Sequence, residues 1–260
     1  MSKRPGGELA TRPLHFIWIC DASGSMQTDG KIQALNNAIR EALPHMRAVA
    51  DENPNADVLV RAVSFSIGAN WHVSQPTAVD EFIWEDLYAD GVTDMGQALE
   101  MVAEQMKIPP MSDRALPPVL VMISDGQPTD NFEKGLDKLM AQPWGKKAVR
   151  IAISIGADAD DDVLQRFIGH PELKPLQANN PEALVKYIKW VSTAVLKSAS
   201  SPASQVAVPI PIPVSSSPLD DQEPVLASDD DLAALISNLN VPIPQVPQSD
   251  DSDIDTQDVW

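Results

Sequence analysis

Three short stretches carry oxygen-bearing side chains at a spacing that could hold a metal ion: Asp21-Ala-Ser23-Gly-Ser25, Gly91-Val-Thr93-Asp94 and Ser124-Asp125-Gly126. Brought together, Asp21, Ser23, Ser25, Thr93 and Asp125 supply two carboxylates and three hydroxyls. Hard oxygen donors of this kind suit Mg²⁺ or Mn²⁺, not zinc or copper. Mg²⁺ prefers octahedral coordination and gives up water reluctantly, so this set, with some members acting through water, leaves a position open for a partner's carboxylate. Taken singly, each stretch also reads as a turn or a helix cap, which is the ordinary work of Asp, Ser and Thr. Capping does not call for all three at matched strand ends, and together they favour a metal. Asp29, Asp94 and Asp130 read as solvated or capping carboxylates, and the run Asp158–Asp162 as a solvated helix start. His15, His45, His72 and His170 show no spacing that would make a metal pair.

Asp21 follows an apolar run, as the nucleophile does in phosphatases of the haloacid-dehalogenase type. Those enzymes need a second Asp two residues on as general acid, and Ser23 stands there. A hydroxyl cannot do that work near neutral pH. Neither a G-x-S-x-G elbow nor a phosphate-cradling G-x-x-x-x-G-K-[ST] loop occurs. The expectation is therefore a binding module and not an enzyme; its rival is a metal-dependent phosphohydrolase that uses the same oxygen cluster to activate water.

Converging the three stretches requires strands that end side by side. Leu14–Cys20, Val58–Phe65, Val119–Ser124 and Val149–Ile155 are short apolar runs, mostly unbroken in hydrophobicity, as in parallel strands covered on both faces. Between them lie helical patterns. Lys31–Ala50 places Ile32, Leu35, Ala38, Ile39, Ala42 and Leu43 on one face, with Pro44 expected to kink or shorten it. Asp94–Met106, Phe132–Met140, Asp160–Phe167 and Pro181–Leu196 follow, the last opened by Asn-Asn-Pro-Glu, a cap with Pro in the first turn. The stretch Ile67–Tyr88 reads as a short edge strand and a loop. This alternation predicts an α/β fold, a doubly wound, mostly parallel sheet flanked by helices, with the site outside the carboxyl ends of the strands.

The 260-residue chain carries a net charge of −18, unevenly spread: eleven of its 37 acidic residues and none of its 19 basic ones lie beyond Lys197. Nucleic acid and anionic membranes are disfavoured as partners by this charge. The lone Cys20 excludes an intramolecular disulfide and a Cys-based zinc ribbon, and it reads as core. No apolar run is long enough to span a bilayer, and the N-terminal residues lack a secretory signal, so the expected compartment is the cytoplasm. The organisation read from composition is an arm (1–12), a domain (13–197), a Ser/Pro-rich linker (198–227), a short amphipathic segment (228–240) and a disordered acidic tail (241–260). In the amphipathic segment Leu232, Leu235, Ile236 and Leu239 share a face that could dock on a partner as a short helix.

D-x-S-x-S, then Thr in G-x-T-D before a helix, then S-D-G after a buried strand, resembles the metal-ion-dependent adhesion site of von Willebrand factor A domains over about residues 13–197. Leu14-His-Phe-Ile-Trp-Ile-Cys-Asp-Ala-Ser-Gly-Ser-Met26, with Gly30-Lys-Ile-Gln-Ala-Leu-Asn-Asn-Ala-Ile39 after it, is similar to the cytoplasmic bacterial TerY-like branch associated with tellurite resistance. The resemblance implies that Ser23, Ser25 and Thr93 reach the metal through hydroxyls. It implies that Asp21 and Asp125 act directly or through water, and that a partner's Glu or Asp completes the shell. It also implies a stress or defence signalling complex with a Ser/Thr kinase and a PP2C-type phosphatase as partners. Related domains also serve as non-ATPase subunits of ATPase or chelatase assemblies. Some TerY-like proteins continue into a cysteine-rich zinc module, which one cysteine cannot build. Ser228, Ser249, Ser252 and Thr256, flanked by acids, read as sites for such a kinase, and Thr256 with Val259 resembles a ligand of forkhead-associated domains.

Overall fold

A computed structural model of the chain describes residues 11–53, 55–156 and 159–200. The expected arm (all but its last two residues), nearly all of the linker, the docking segment, the acidic tail and the four candidate phosphoacceptors lie outside the described residues.

Six strands form one sheet: β1 (Arg12–Asp21), β2 (Ala56–Ser66), β3 (Gly68–Ala78), β4 (Val119–Ser124), β5 (Val149–Ile155) and β6 (Leu176–Ala178), in the order β3-β2-β1-β4-β5-β6. All neighbours pair in parallel except β2 and β3. The order reverses direction between β1 and β4, which is where a doubly wound sheet opens a crevice at its carboxyl edge. The expected short edge strand is longer than read: β3 has 11 residues, with one face solvated, and it folds back on β2 as a hairpin. Its Trp, His and Thr content favours a strand, but its mixed polarity hid the length.

The helices are α1 (Lys31–Asp51), α2 (Met95–Gln105), α3 (Phe132–Met140), α4 (Pro143–Lys147), α5 (Asp161–Ile168) and α6 (Pro181–Trp190), the last running through π-helical Val191–Val195 into α7 (Leu196–Ser200). Pro44 does not shorten α1, which continues to Asp51. A proline removes one helical hydrogen bond, and here Leu43 and Met46 on either side of it are buried in the core and hold the turn. Strand β1 sorts its side chains by parity. Leu14, Phe16, Trp18 and Cys20 pack with α1 and α6, while Ile17 and Ile19 pack with α2, α3 and α5. Both faces are covered, which is why the strand reads as continuously apolar. Asn180 accepts a hydrogen bond from the Ala183 N–H at 2.8 Å with Pro181 in the first turn, as the sequence predicts. Cys20 is wholly buried, and burial and the neighbouring Asp21 push its thiol pKa well above the usual range, so it is core.

Candidate metal centre

The three oxygen-bearing stretches meet at the switch between β1 and β4. Cys20 of β1 lies level with Ile123 of β4, so Asp21 and Asp125 leave neighbouring strands at the same edge. The third stretch joins them through backbone hydrogen bonds. Gly24 N–H donates to Gly91 O at 3.0 Å, Asp90 N–H to Ala22 O at 2.9 Å, and Asp94 N–H to Ser66 O at 3.0 Å. Gly91 makes this approach with φ of 77°, and a Cβ on it would lie 2.5 Å from Ile67 Cγ1, so only glycine fits.

Asp21 is 0% exposed and Asp125 2%. The Ser124 hydroxyl donates to Asp21 Oδ2 at 2.5 Å, and the Ser23 N–H to Oδ1 at 2.8 Å. Ser124 Oγ in turn accepts from the Gly126 N–H at 2.9 Å, so the loop after β4 fixes the carboxylate of β1. Burial pushes the Asp21 carboxyl up to about 6; the Ser124 and Ser23 hydrogen bonds oppose that rise, and the charge of Asp125 adds to it. Ser23 is buried, and its Oγ lies 2.9 Å from that of exposed Ser25. Thr93, 6% exposed, is clamped from the third loop: its N–H donates to Thr129 Oγ1 at 2.9 Å, and its carbonyl accepts from the Thr129 N–H at 2.8 Å.

The capping role open to Thr93 and Asp94 is filled from elsewhere. Asp130 accepts from the N–H groups of Gly96 and Gln97, both at 2.8 Å, and so caps α2 from a distant loop, one of the two roles expected for it. Asp94 binds the Gly68 N–H at 2.7 Å and tethers the β2–β3 turn. Asp29 is exposed in the 3₁₀-helical turn after β1 (Gly24–Gly30), with φ of 52°. Asp160 caps α5 through Val163 N–H at 3.3 Å, within the run expected to open a helix, whose Asp158 lies outside the described residues. His15 is buried and His45, His72 and His170 lie elsewhere; among the described residues no three His, Cys, Asp or Glu side chains gather as ligands. Beyond Asp21 and Asp125, the oxygen donors available at this edge are the hydroxyls of Ser23, Ser25 and Thr93, a set that suits a hard cation.

Sequence reasoning named Ser124 within the third stretch without giving it a role, and missed Thr129 and Asn36. Asn36 of α1 is 4% exposed; its Oδ1 accepts from Trp84 Nε1 at 3.0 Å and Leu87 N–H at 2.9 Å, and its Nδ2 donates to Leu87 O at 3.0 Å. It pins the irregular segment that leads to Thr93. A polar residue on the buried face of an otherwise apolar helix was the signal for it.

A family model described as the von Willebrand factor type A domain matches residues 17–187. No curated protein matches the chain. Solved structures with a similar fold include the ArnB paralog VWA2 from Sulfolobus acidocaldarius (TM-score 0.50, 18% identity, 68% of this chain and 44% of that one). A von Willebrand factor type A protein from Catenulispora acidiphila aligns with TM-score 0.53 and 15% identity over 71% of this chain and 43% of that one. Proximal thread matrix protein 1 from the mussel byssus, in a structure with a zinc-occupied MIDAS motif, aligns with TM-score 0.54 and 19% identity over 75% of this chain and 49% of that one. The chain thus spans less than half the length of each of these three proteins.

Proposed function

Because the chain belongs to the von Willebrand factor type A domain family, we propose that it is a protein-binding adaptor in which Asp21, Ser23, Ser25, Thr93 and Asp125 hold a divalent cation. Mg²⁺ or Mn²⁺ is the ion the donor set suits best, and the zinc in the mussel protein's motif makes Zn²⁺ the third ion to test. The bound cation would supply a Lewis-acidic position for a carboxylate of a partner protein. The observation that carries this reading is Asp21 itself: a buried carboxylate with Asp125 beside it and, among the described residues, no Lys or Arg acting on it. Two such carboxylates repel unless a cation separates them. The chain's own contribution is to fix the ligands. Ser124 and the Ser23 N–H orient Asp21, and Thr129 clamps Thr93 by its backbone.

The finer reading rests on the stretch Leu14–Met26 and on the charge beyond Lys197. It places the protein in the cytoplasm, in a stress or tellurite-resistance complex with a Ser/Thr kinase and a PP2C-type phosphatase. Residues 228–240 would dock on a partner, and Ser228, Ser249, Ser252 and Thr256 would take phosphate. Among the described residues no helix is long and apolar enough to cross a membrane. The test is affinity capture from the native cell with the full chain in Mg²⁺, repeated in EDTA and with Asp21→Ala and Thr93→Ala. The reading expects partners to be lost in all three arms; capture unchanged by chelation or by either substitution refutes it. Phosphopeptide mapping after co-expression with the kinase examines the tail separately, and no phosphate beyond Lys197 removes that part.

A further inference from the structure

The loops at the carboxyl edge of the sheet present more than metal ligands. Five large apolar side chains are exposed among the described residues, and three of them, Ile67 (71%), Tyr88 (86%) and Val92 (44%), lie on loops that border Asp21–Ser25. Hydrogen bonds from Asp90 N–H to Ala22 O and from Gly24 N–H to Gly91 O fix the loop of Tyr88 and Val92 there, and Ile67 packs on Gly91. Tyr88 sits between two pinned residues: Asn36 binds both backbone groups of Leu87, and the Gln27 side chain donates to Ala89 O at 2.6 Å. An aromatic ring held on a fixed backbone but left in water adds nothing to the core, whereas it loses little freedom on meeting a partner. The same loops carry one sign of charge. Residues 21–30, 79–94 and 125–131 hold ten Asp or Glu and no Lys or Arg. Asp29 and Asp90 are exposed, and Asp90 Oδ1 accepts from the Gly91 N–H at 2.7 Å, which fixes its carboxylate beside the apolar rim. Of the bases at the start of α1, Arg40 reaches Asp86 and Lys31 is buried.

We propose that the metal centre and this rim together bind a protein segment of one kind: a single Asp or Glu for the cation, flanked by Lys or Arg and by an aliphatic or aromatic side chain. Tyr88, Ile67 and Val92 receive the apolar side chain, and Asp90 and Asp29 supply the opposite charge for the basic ones. The proposal rests on the metal reading above and names the partner chemistry that the centre takes. Charge selects the flanks, because a divalent cation offsets the two carboxylates of Asp21 and Asp125 and leaves the surrounding loops acidic. A segment that brings one carboxylate among bases is then attracted, and one that brings many is repelled. The chain's own residues beyond Lys197, with eleven acids and no base, are the disfavoured occupant for that reason.

The test selects a random peptide library on the full chain in Mg²⁺, elutes with EDTA, and measures the recovered peptides by fluorescence anisotropy; Mn²⁺ calorimetry on the same proteins reads the metal by itself. The eluted peptides should carry one Asp or Glu, a net positive charge and at least one aliphatic or aromatic residue. Tyr88→Ala should weaken them about tenfold, and Tyr88→Phe should not. Asp90→Asn should weaken them about two- to fivefold at low salt and reduce their salt dependence. Neither Tyr88→Ala nor Asp90→Asn should change Mn²⁺ affinity, since both residues lie outside the proposed ligand set. If Mn²⁺ binds but the eluted peptides are acidic overall, as residues 249–260 are, or if Tyr88→Ala leaves their affinity unchanged, the proposal is overturned and the metal reading stands. Mn²⁺ binding with no peptide enriched over a column without protein also overturns it. Absence of Mn²⁺ binding overturns both.

Discussion

Replacing Asp21 by Asn should make the metal-free protein more stable at neutral pH while removing its response to metal. The carboxyl is raised from 3.8 to about 6 in the folded chain, chiefly by burial. A gap of about two units corresponds to about 3 kcal/mol of penalty for holding the ionised group in place. The amide keeps an oxygen for the Ser23 N–H, but the Ser124 hydroxyl must turn to accept, which leaves its proton unbonded at a cost of about 1 kcal/mol. The net gain is about 2 kcal/mol, or about 4–8 °C in Tm for a domain of this size. Its pH dependence follows from the sign of the shift. Below the unfolded value of 3.8 both states are protonated and the penalty is absent; it grows as pH rises and is complete above about 6. Urea denaturation in EDTA at pH 4, 5, 6 and 7.5 should therefore show the gap between variant and wild type opening from near zero to its full size. With Mg²⁺ added at pH 7.5, wild type should gain stability and Asp21→Asn should not. A variant less stable than wild type at pH 7.5 in EDTA, or a gap unchanged between pH 4 and 7.5, would refute the reasoning.

Ser124→Ala removes the group that orients Asp21 without touching the proposed ligand set, and calorimetric titration should show Mn²⁺ affinity down roughly tenfold or more. Thr93→Ala should weaken Mn²⁺ at least as much while costing no more than about 1 kcal/mol in urea, since its backbone clamp to Thr129 remains. Asn36→Ala strips hydrogen bonds from the buried Trp84 Nε1 and both backbone groups of Leu87, and should cost about 2–4 kcal/mol. Gly96→Ala places a Cβ 2.4 Å from Asn131 O where α2 meets the loop before α3; denaturation should show a loss of about 1–3 kcal/mol.

What could be read from the sequence was whatever a short window determines. β4 and β5 have the bounds that their apolar runs predict, because a strand buried on both faces shows an uninterrupted signal. The order D-x-S-x-S, T, S-D-G predicted that the three stretches would meet, because parallel strands put their carboxyl ends on one edge, and β1 and β4 do so. Long-range polar contacts left no such trace. Asp130 lies 34 residues from the Gly96 N–H it caps, and Ser124 lies 103 from the carboxylate it orients. Nothing in the local pattern of Thr129 distinguishes it from any loop threonine. Strand β6, only three residues long and paired to β5, falls below what periodicity can resolve. Pro44 misled for a related reason: propensity is local, and the packing of Leu43 and Met46 that overrides it is not.

Among the charges that the described fold buries without an opposite partner are Asp21, Asp125 and Arg61; Asp21 and Arg61 sit on the adjacent strands β1 and β2 and carry opposite signs. They do not neutralise each other, since Asp21 stands at the carboxyl edge level with Phe65, while Arg61 is level with Ile17 further back. A chain selected for stability alone would replace both with apolar residues, because buried ions add little stability even when paired. Each is instead held in place by specific hydrogen bonds: Asp21 by Ser124 and the Ser23 N–H, Arg61 by Gln105 and the Ser74 carbonyl. The fixed carboxylate of Asp21, with Asp125 beside it, is poised for a ligand that supplies the opposite charge, since binding then recovers what burial cost. On this argument a divalent cation should raise Tm in wild type.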